Sequence, residues 1–175
     1  YINVVSTLSQ KDLGAYYTRP EITGYLAERA IEAAVLQKVN KPALPEMSLP
    51  AIEHASVPDL LARMDGATAV ELLTDILPKL RILDPAVGSG AFLVAAMKVL
   101  LNLYGAIVGR AELGNDPALK HWLAHEKKAH HNIGYAIRRR IITDNLYGVD
   151  LLEGAAEIAK LRLFLALVAS AQTLD

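Results

Sequence analysis

Apolar and polar positions alternate along the chain with a period that changes from block to block. Between Pro20 and Lys38 the apolar positions fall at helical spacing, with Ile22, Tyr25, Leu26 and Ala30 on one face and Glu21, Glu28 and Glu32 on the other. That predicts an amphipathic helix, entered from a loop over Leu13 to Pro20. Four prolines between Asn40 and Pro58 break any period and predict a linker or insertion over residues 40–68. A short helix over Ala69 to Leu77 is expected to stop at Pro78. The apolar run Leu80-Arg81-Ile82-Leu83 then reads as a strand, closed by Asp84-Pro85 and a turn with two glycines, before a long apolar helix from Ala91. The same order of strand, loop and helix recurs over Ile141 to Asp150 and from Ala155. Two such units in succession predict a doubly wound α/β fold. Residues 1–39, 40–68 and 69–175 are the expected segments, with Arg110 to Arg140 a mostly helical insertion in the last.

Both long helices are apolar enough to raise the question of a membrane. In the first, Ala91 to Gly109, Lys98 lies mid-run and Asn102 one turn later on the same face; the second, Ala155 to Ala171, carries Glu157, Lys160 and Arg162. Charges at that depth are costly in lipid. Both are expected to be buried over most of their circumference with one narrow polar stripe, and no membrane partner is expected. The mean hydropathy of +0.25 then reads as apolar helix faces awaiting cover, which predicts self-association.

Composition narrows the classes further. The 175 residues are 53% hydrophobic and 21% charged, which excludes a disordered polar segment. With no cysteine there is no disulfide framework, thiolate metal site or cysteine nucleophile, and a cytoplasmic setting is expected. The net charge of −1 conceals an asymmetry. Residues 120–140 carry Lys120, Lys127, Lys128, Arg138, Arg139 and Arg140 against Glu126 alone, and Arg138 to Arg140 are candidate contacts to DNA phosphates. The same stretch holds His121, His125, His130 and His131. His125-Glu126 has the start of a zincin pattern, but His130 is one position too far for the second ligand, so no metal is expected.

The chemistry concentrates at the ends of the two strands. Asp84-Pro85-Ala86-Val87-Gly88-Ser89-Gly90 lacks the Gly-Lys-Ser/Thr of a P-loop, and Leu93 stands where a dinucleotide fingerprint has its third glycine. What remains is a carboxylate at a strand tip, two glycines that let backbone approach a ligand, and a helix N-terminus, where open α/β sheets bind ligands. A carboxylate there suits a cationic group better than a phosphate. Asp150, ending the second strand, can accept both hydroxyls of a ribose. A nucleoside carrying positive charge fits the pair, and S-adenosylmethionine meets that description.

Asp84 to Leu93, DPAVGSGAFL, resembles motif I of the adenine-specific DNA methyltransferases of the gamma order. Leu13 to Ile22 resembles their motif X and Asn145 to Asp150 their motif II, all in the family's order. The wording is closest to the large restriction–modification and phage-defence enzymes. The resemblance implies a Rossmann-like S-adenosylmethionine-dependent fold, present here as a partial sheet with an N-terminal helix and a helical insertion. It also implies roles. Tyr17 and Thr18 would contact the methionine end of the cofactor and Asp84 its ammonium. Ala86, Gly88 and Gly90 would bring backbone against it, with Phe92 supporting the pocket floor. Asp150 would take the ribose hydroxyls and Leu151 would pack on the adenine.

Three departures qualify this. Arg19 stands where the family commonly has proline. Asp84 and Asp150 are 66 residues apart, against roughly 20 in a compact nucleotide-binding unit. No Pro-Pro pair occurs, so the family's Asn/Asp/Ser-Pro-Pro-Tyr/Phe motif, which holds the flipped adenine, is absent and no catalytic residue is assigned. The chain is therefore expected to be the cofactor-binding part of a longer enzyme, inactive alone. Its partners would be double-stranded DNA and the catalytic and target-recognition regions of the same polypeptide. A non-catalytic cofactor-binding or assembly module, and a methyltransferase acting on RNA, protein or a small molecule, are the alternatives. Locally, Thr18-Arg19-Pro20-Glu21 fits a capping box on Thr18, but Pro20 favours the first helical position and pushes Arg19 out of helical dihedrals, making Arg19 the expected cap.

Overall fold

The structure, a computed structural model, describes residues 18–40 and 52–171. Helix α1 (Pro20–Val39) begins as expected, with Arg19 extended at the N-cap and its carbonyl accepting from the amides of Ile22 and Thr23 at 3.0 and 3.1 Å. Its buried face differs from the expected one. Thr23, Ala27, Ile31, Val35 and Val39 face inward, whereas Ile22, Tyr25 and Leu26 stay about half exposed. This buried stripe, at four-residue spacing, packs α1 on the long helix α5 (Ala91–Leu113). Tyr25 instead lies under the Arg29 guanidinium, 5.6 Å from ring centroid to carbon. Nor is Glu32 merely solvated: it accepts from the Val57 amide at 3.0 Å and pairs with Arg29 at 2.7 Å.

Residues 41–51 of the expected linker lie outside the described residues. Its two ends meet. Asn40 donates to the His54 carbonyl at 3.1 Å and accepts from the His54 amide at 2.9 Å. Helix α2 (Val57–Arg63), not anticipated from the pattern, follows at once, with Ser56 accepting from the Asp59 amide. Helix α3 (Gly66–Glu71), capped by Asp65, runs into a π turn over Leu72–Ile76 and then α4 (Leu77–Lys79). The helical path therefore starts before Ala69 and passes through Pro78. Proline has no amide and crowds the preceding turn. The widened turn, in which the Leu77 amide reaches back to the Leu72 carbonyl, gives its ring room.

Strand β1 (Ile82–Asp84) starts two residues later than the expected run and ends one later, so that Asp84 is its last member. Helix α5 (Ala91–Leu113) buries Leu93, Ala96, Met97, Leu100, Leu103, Tyr104, Ile107 and Ala111, while Lys98 and Asn102 are exposed, the polar stripe read from the sequence. It is one helix, among the described residues, long and apolar enough to cross a membrane, yet it forms the centre of the core. The stretch after it is helical as expected, as α6 (Pro117–Ala129) and α7 (Ile133–Arg140), capped by Asp116 and Asn132. A second π turn, Ile141–Asn145, takes up half of the segment read as the second strand, leaving β2 (Leu146–Gly148). Asn145 explains the economy. Fully buried, its amide donates to the carbonyls of Leu77 and Leu80, both at 2.8 Å, tying the start of β2 to the approach to β1.

The two strands pair in parallel, Ile82 opposite Leu146 and Asp84 opposite Gly148. Ile82 and Leu146 face the helices. Leu83 and Tyr147, side by side on the other face, are 62% and 44% exposed. Helix α8 (Glu153–Ala171) departs most from expectation. Among its described side chains only Ala159 and Leu163 are buried, and Ile158, Leu161, Phe164 and Leu165 are about half exposed, so its apolar surface is mostly open rather than mostly covered.

Candidate functional site

Beyond their last paired residues, the strands stay joined through backbone alone. The Val149 amide donates to the Asp84 carbonyl at 3.0 Å, and the Val87 amide to the Val149 carbonyl at 2.9 Å. This carries the loop from β1 back across the end of β2. Gly148 makes the crossing possible, since a Cβ there would sit 2.7 Å from the Val87 side chain. The loop then turns through Gly88 and Gly90, at φ of 50° and 79°, where L side chains are strained. Around Gly88 the space is open, whereas a Cβ on Gly90 would come within 3.0 Å of Ala159 in α8. The first glycine leaves room at the surface and the second lets two helices meet.

Two carboxylates frame this loop. Asp84 accepts from the Ala86 amide through Oδ1 at 3.1 Å, while its Oδ2 is buried without a hydrogen-bond partner. A buried carboxylate oxygen left unpaired is costly, and among the described residues it is the one carboxylate atom of this kind, the others belonging to His54, Tyr104, Arg138 and Asn145. Asp150 reaches 62 residues back to accept from the Gly88 amide through Oδ2 at 2.8 Å, and accepts from the Leu152 amide through Oδ1 at 2.9 Å. The amides of Leu152 and Gly88 hold its carboxyl below the usual carboxylate range. Each oxygen keeps a second lone-pair direction for a ligand hydroxyl.

The structure thus brings Asp84, Ala86, Gly88, Gly90 and Asp150 to one edge of the sheet. Leu151, next in chain, is fully exposed beside them. Phe92 is half-buried and lines an apolar cavity of about 420 Å³ between α1 and the free edge of β1, with Leu26, Ala30, Leu83 and Pro85. Thr18, two residues before α1, is half-buried, and Tyr17 lies outside the described residues. The candidate DNA contacts are placed elsewhere. Arg138 donates to the Ala166 carbonyl at 3.0 Å, thirteen residues into α8 and so about 20 Å from its start near the sheet edge. Arg140 pairs with the buried Glu126 at 3.7 Å, and Arg139 is exposed on the rim of a polar cavity with His130 and His131.

Sequence reasoning passed over one residue at the loop. From α8, Arg162 donates to both the carbonyl and the hydroxyl of Ser89, each at 3.0 Å. A cation one helical turn beyond Ala159, and so on the face that meets the loop, was the available signal.

The family model of the MmeI DNA-methyltransferase domain matches residues 60–174, a stretch that contains the whole loop, both carboxylates and α8. The chain belongs to that family. The domain is also 37% identical over 171 residues to a protein of Methanocaldococcus jannaschii whose name describes a type II restriction enzyme and methyltransferase. That match covers 95% of this chain and 13% of the relative, so the methyltransferase domain corresponds to a small part of the relative's length. No solved structure matches it.

Proposed function

We propose that this methyltransferase domain is the S-adenosylmethionine-binding part of a site-specific adenine DNA methyltransferase of a restriction–modification or phage-defence system, built on a Rossmann-like sheet. The observation that carries the reading is the unpaired, buried Oδ2 of Asp84 beside a loop whose backbone is bent at two left-handed glycines. An ammonium is the donor such an oxygen accommodates best, since ion pairing and hydrogen bonding then coincide. Asp150 at the neighbouring strand end would accept the ribose hydroxyls without releasing Gly88, Leu151 would pack on the adenine, and Thr18 with Tyr17 would reach the methionine end. When bound, the cofactor supplies an electrophilic methyl on a sulfonium. The protein's part at this edge is to orient that group and hold its charge. No Pro-Pro pair is present to position and activate a target amine, so methyl transfer is assigned to the domain acting with further regions of a longer polypeptide.

Calorimetric titration of S-adenosylmethionine into the full chain tests the reading. Asp150→Ala should weaken binding about 10- to 100-fold, the worth of hydrogen bonds to a charged acceptor at about 1.5–3 kcal/mol. Asp84→Ala should weaken it comparably. Affinities indistinguishable from wild type in both variants would sink the assignment.

A further inference from the structure

Between Gly88 and Gly90 the loop has little to hold it. The strand ladder ends at Val87, and the one backbone bond within the turn is from the Gly90 amide to the Val87 carbonyl, at 2.7 Å. Two adjacent left-handed positions on either side of Ser89 would leave this segment free to sample other conformations, since glycine restrains the backbone least. Two side chains distant in sequence restrain it from outside. Asp150 takes the Gly88 amide, and Arg162 takes Ser89 at both its carbonyl and its hydroxyl from a single guanidinium nitrogen.

The surroundings of Arg162 give it no competing role. Its neighbour Lys160 is engaged with Glu157, whereas no carboxylate among the described residues pairs with Arg162. The helix under it is pressed onto the loop, Ala159 being the residue that a Cβ on Gly90 would strike. The guanidinium therefore acts from a fixed platform on a segment that is otherwise weakly held.

We propose that Arg162 is a positioning residue of the cofactor cradle: by gripping Ser89 it fixes the backbone between Gly88 and Gly90 against which the cofactor lies. The proposal rests on the reading of this edge as the S-adenosylmethionine site. Its effect is on preorganisation, because a loop already ordered loses less freedom when a ligand binds.

The test is calorimetric titration of S-adenosylmethionine into the full chain and into Arg162→Ala and Arg162→Lys variants, with thermal unfolding and the amide resonances of Gly88 and Gly90 followed in parallel. Arg162→Ala should bind about five- to tenfold more weakly, the scale of a partly exposed charged hydrogen bond. Its unfolding midpoint should be unchanged and the two glycine amides should shift. Arg162→Lys, which keeps a donor in reach of Ser89, should recover most of the affinity. If wild type binds and Arg162→Ala binds equally well, the proposal is overturned while the site reading stands. An affinity loss accompanied by a lowered midpoint, and not restored by lysine, assigns Arg162 to the stability of α8 and also overturns it. Wild type that binds no S-adenosylmethionine overturns the site reading and this proposal together.

Discussion

The sheet edge bearing Asp84 and Asp150 and the helical corner bearing Arg138 to Arg140 both gather polar side chains, and they spend them in opposite ways. At the corner a buried acid is enclosed by basic side chains. Glu126 is buried among Arg140, His130 and His125, at 3.7, 3.9 and 3.9 Å, Arg138 is occupied by a carbonyl of α8, and burial pushes the neighbouring Tyr104 hydroxyl up to about 12. At the edge an acceptor is left over, a carboxylate oxygen without a partner beside a loop bent at two left-handed glycines, whereas at the corner the buried unpaired atoms among the described residues are Arg138 Nε and the Tyr104 hydroxyl. A run of like charge in a sequence says little about which charges remain available once the helices pack. Unfinished hydrogen bonding beside a backbone that only glycine can follow says more.

The sharpest way to break this contrast is to relax the edge's backbone. Gly90→Val places a β-branched side chain at φ 79° and against Ala159. Left-handed strain and overpacking together should cost about 3 kcal/mol. Thermal unfolding reads this directly. A variant as stable as wild type would mean that the loop can take another path, and that its geometry is not what sets the edge apart.

The corner makes the next test. Arg140→Ala leaves Glu126 with two weakly placed histidines, and should cost about 2 kcal/mol, short of a fully buried pair because the guanidinium is 28% exposed. Arg139→Ala, removing an exposed side chain, should change stability by less than about 0.5 kcal/mol. Denaturant titration of the two variants separates them. Equal small effects would mean that Arg140 is as solvated as Arg139, and the comparison would lose its second half.

How much of this was legible beforehand follows the same division. The loop string from Asp84 to Leu93, the Arg19 cap and the polar stripe of Lys98 and Asn102 could be read because each rests on local geometry or helical period. The buried face of α1 could not, because it is set by how α1 packs against α5, a tertiary matter. The strands were misjudged in length, since Asn145 anchors the chain through its side chain and makes ladder bonds unnecessary there. Arg162 was read only as a charge unsuited to lipid, because its partner Ser89 lies 73 residues away. The exposed side of α8 was likewise unreadable, as an apolar helix carries no mark of which faces find cover within the described residues.

Acid titration makes the finest test, on Asp150 alone. In the folded chain its carboxyl is held below the usual range by the amides of Leu152 and Gly88; in the unfolded chain it returns to about 3.9. Ionisation therefore favours the folded state. The contribution is fully present above about pH 4 and is lost as pH falls through the lower, folded value. Asp150→Asn, which keeps one acceptor oxygen but no charge, should flatten the acid limb of stability against pH in that window. The limb should not vanish, because the Thr68 amide lowers the Asp65 carboxyl in the same way at the start of α3. Stability measured from pH 5 to pH 2 decides it. An acid limb unchanged by Asp150→Asn would mean that the carboxylate does not hold Gly88 in solution, and that Arg162 is left as the loop's outer restraint.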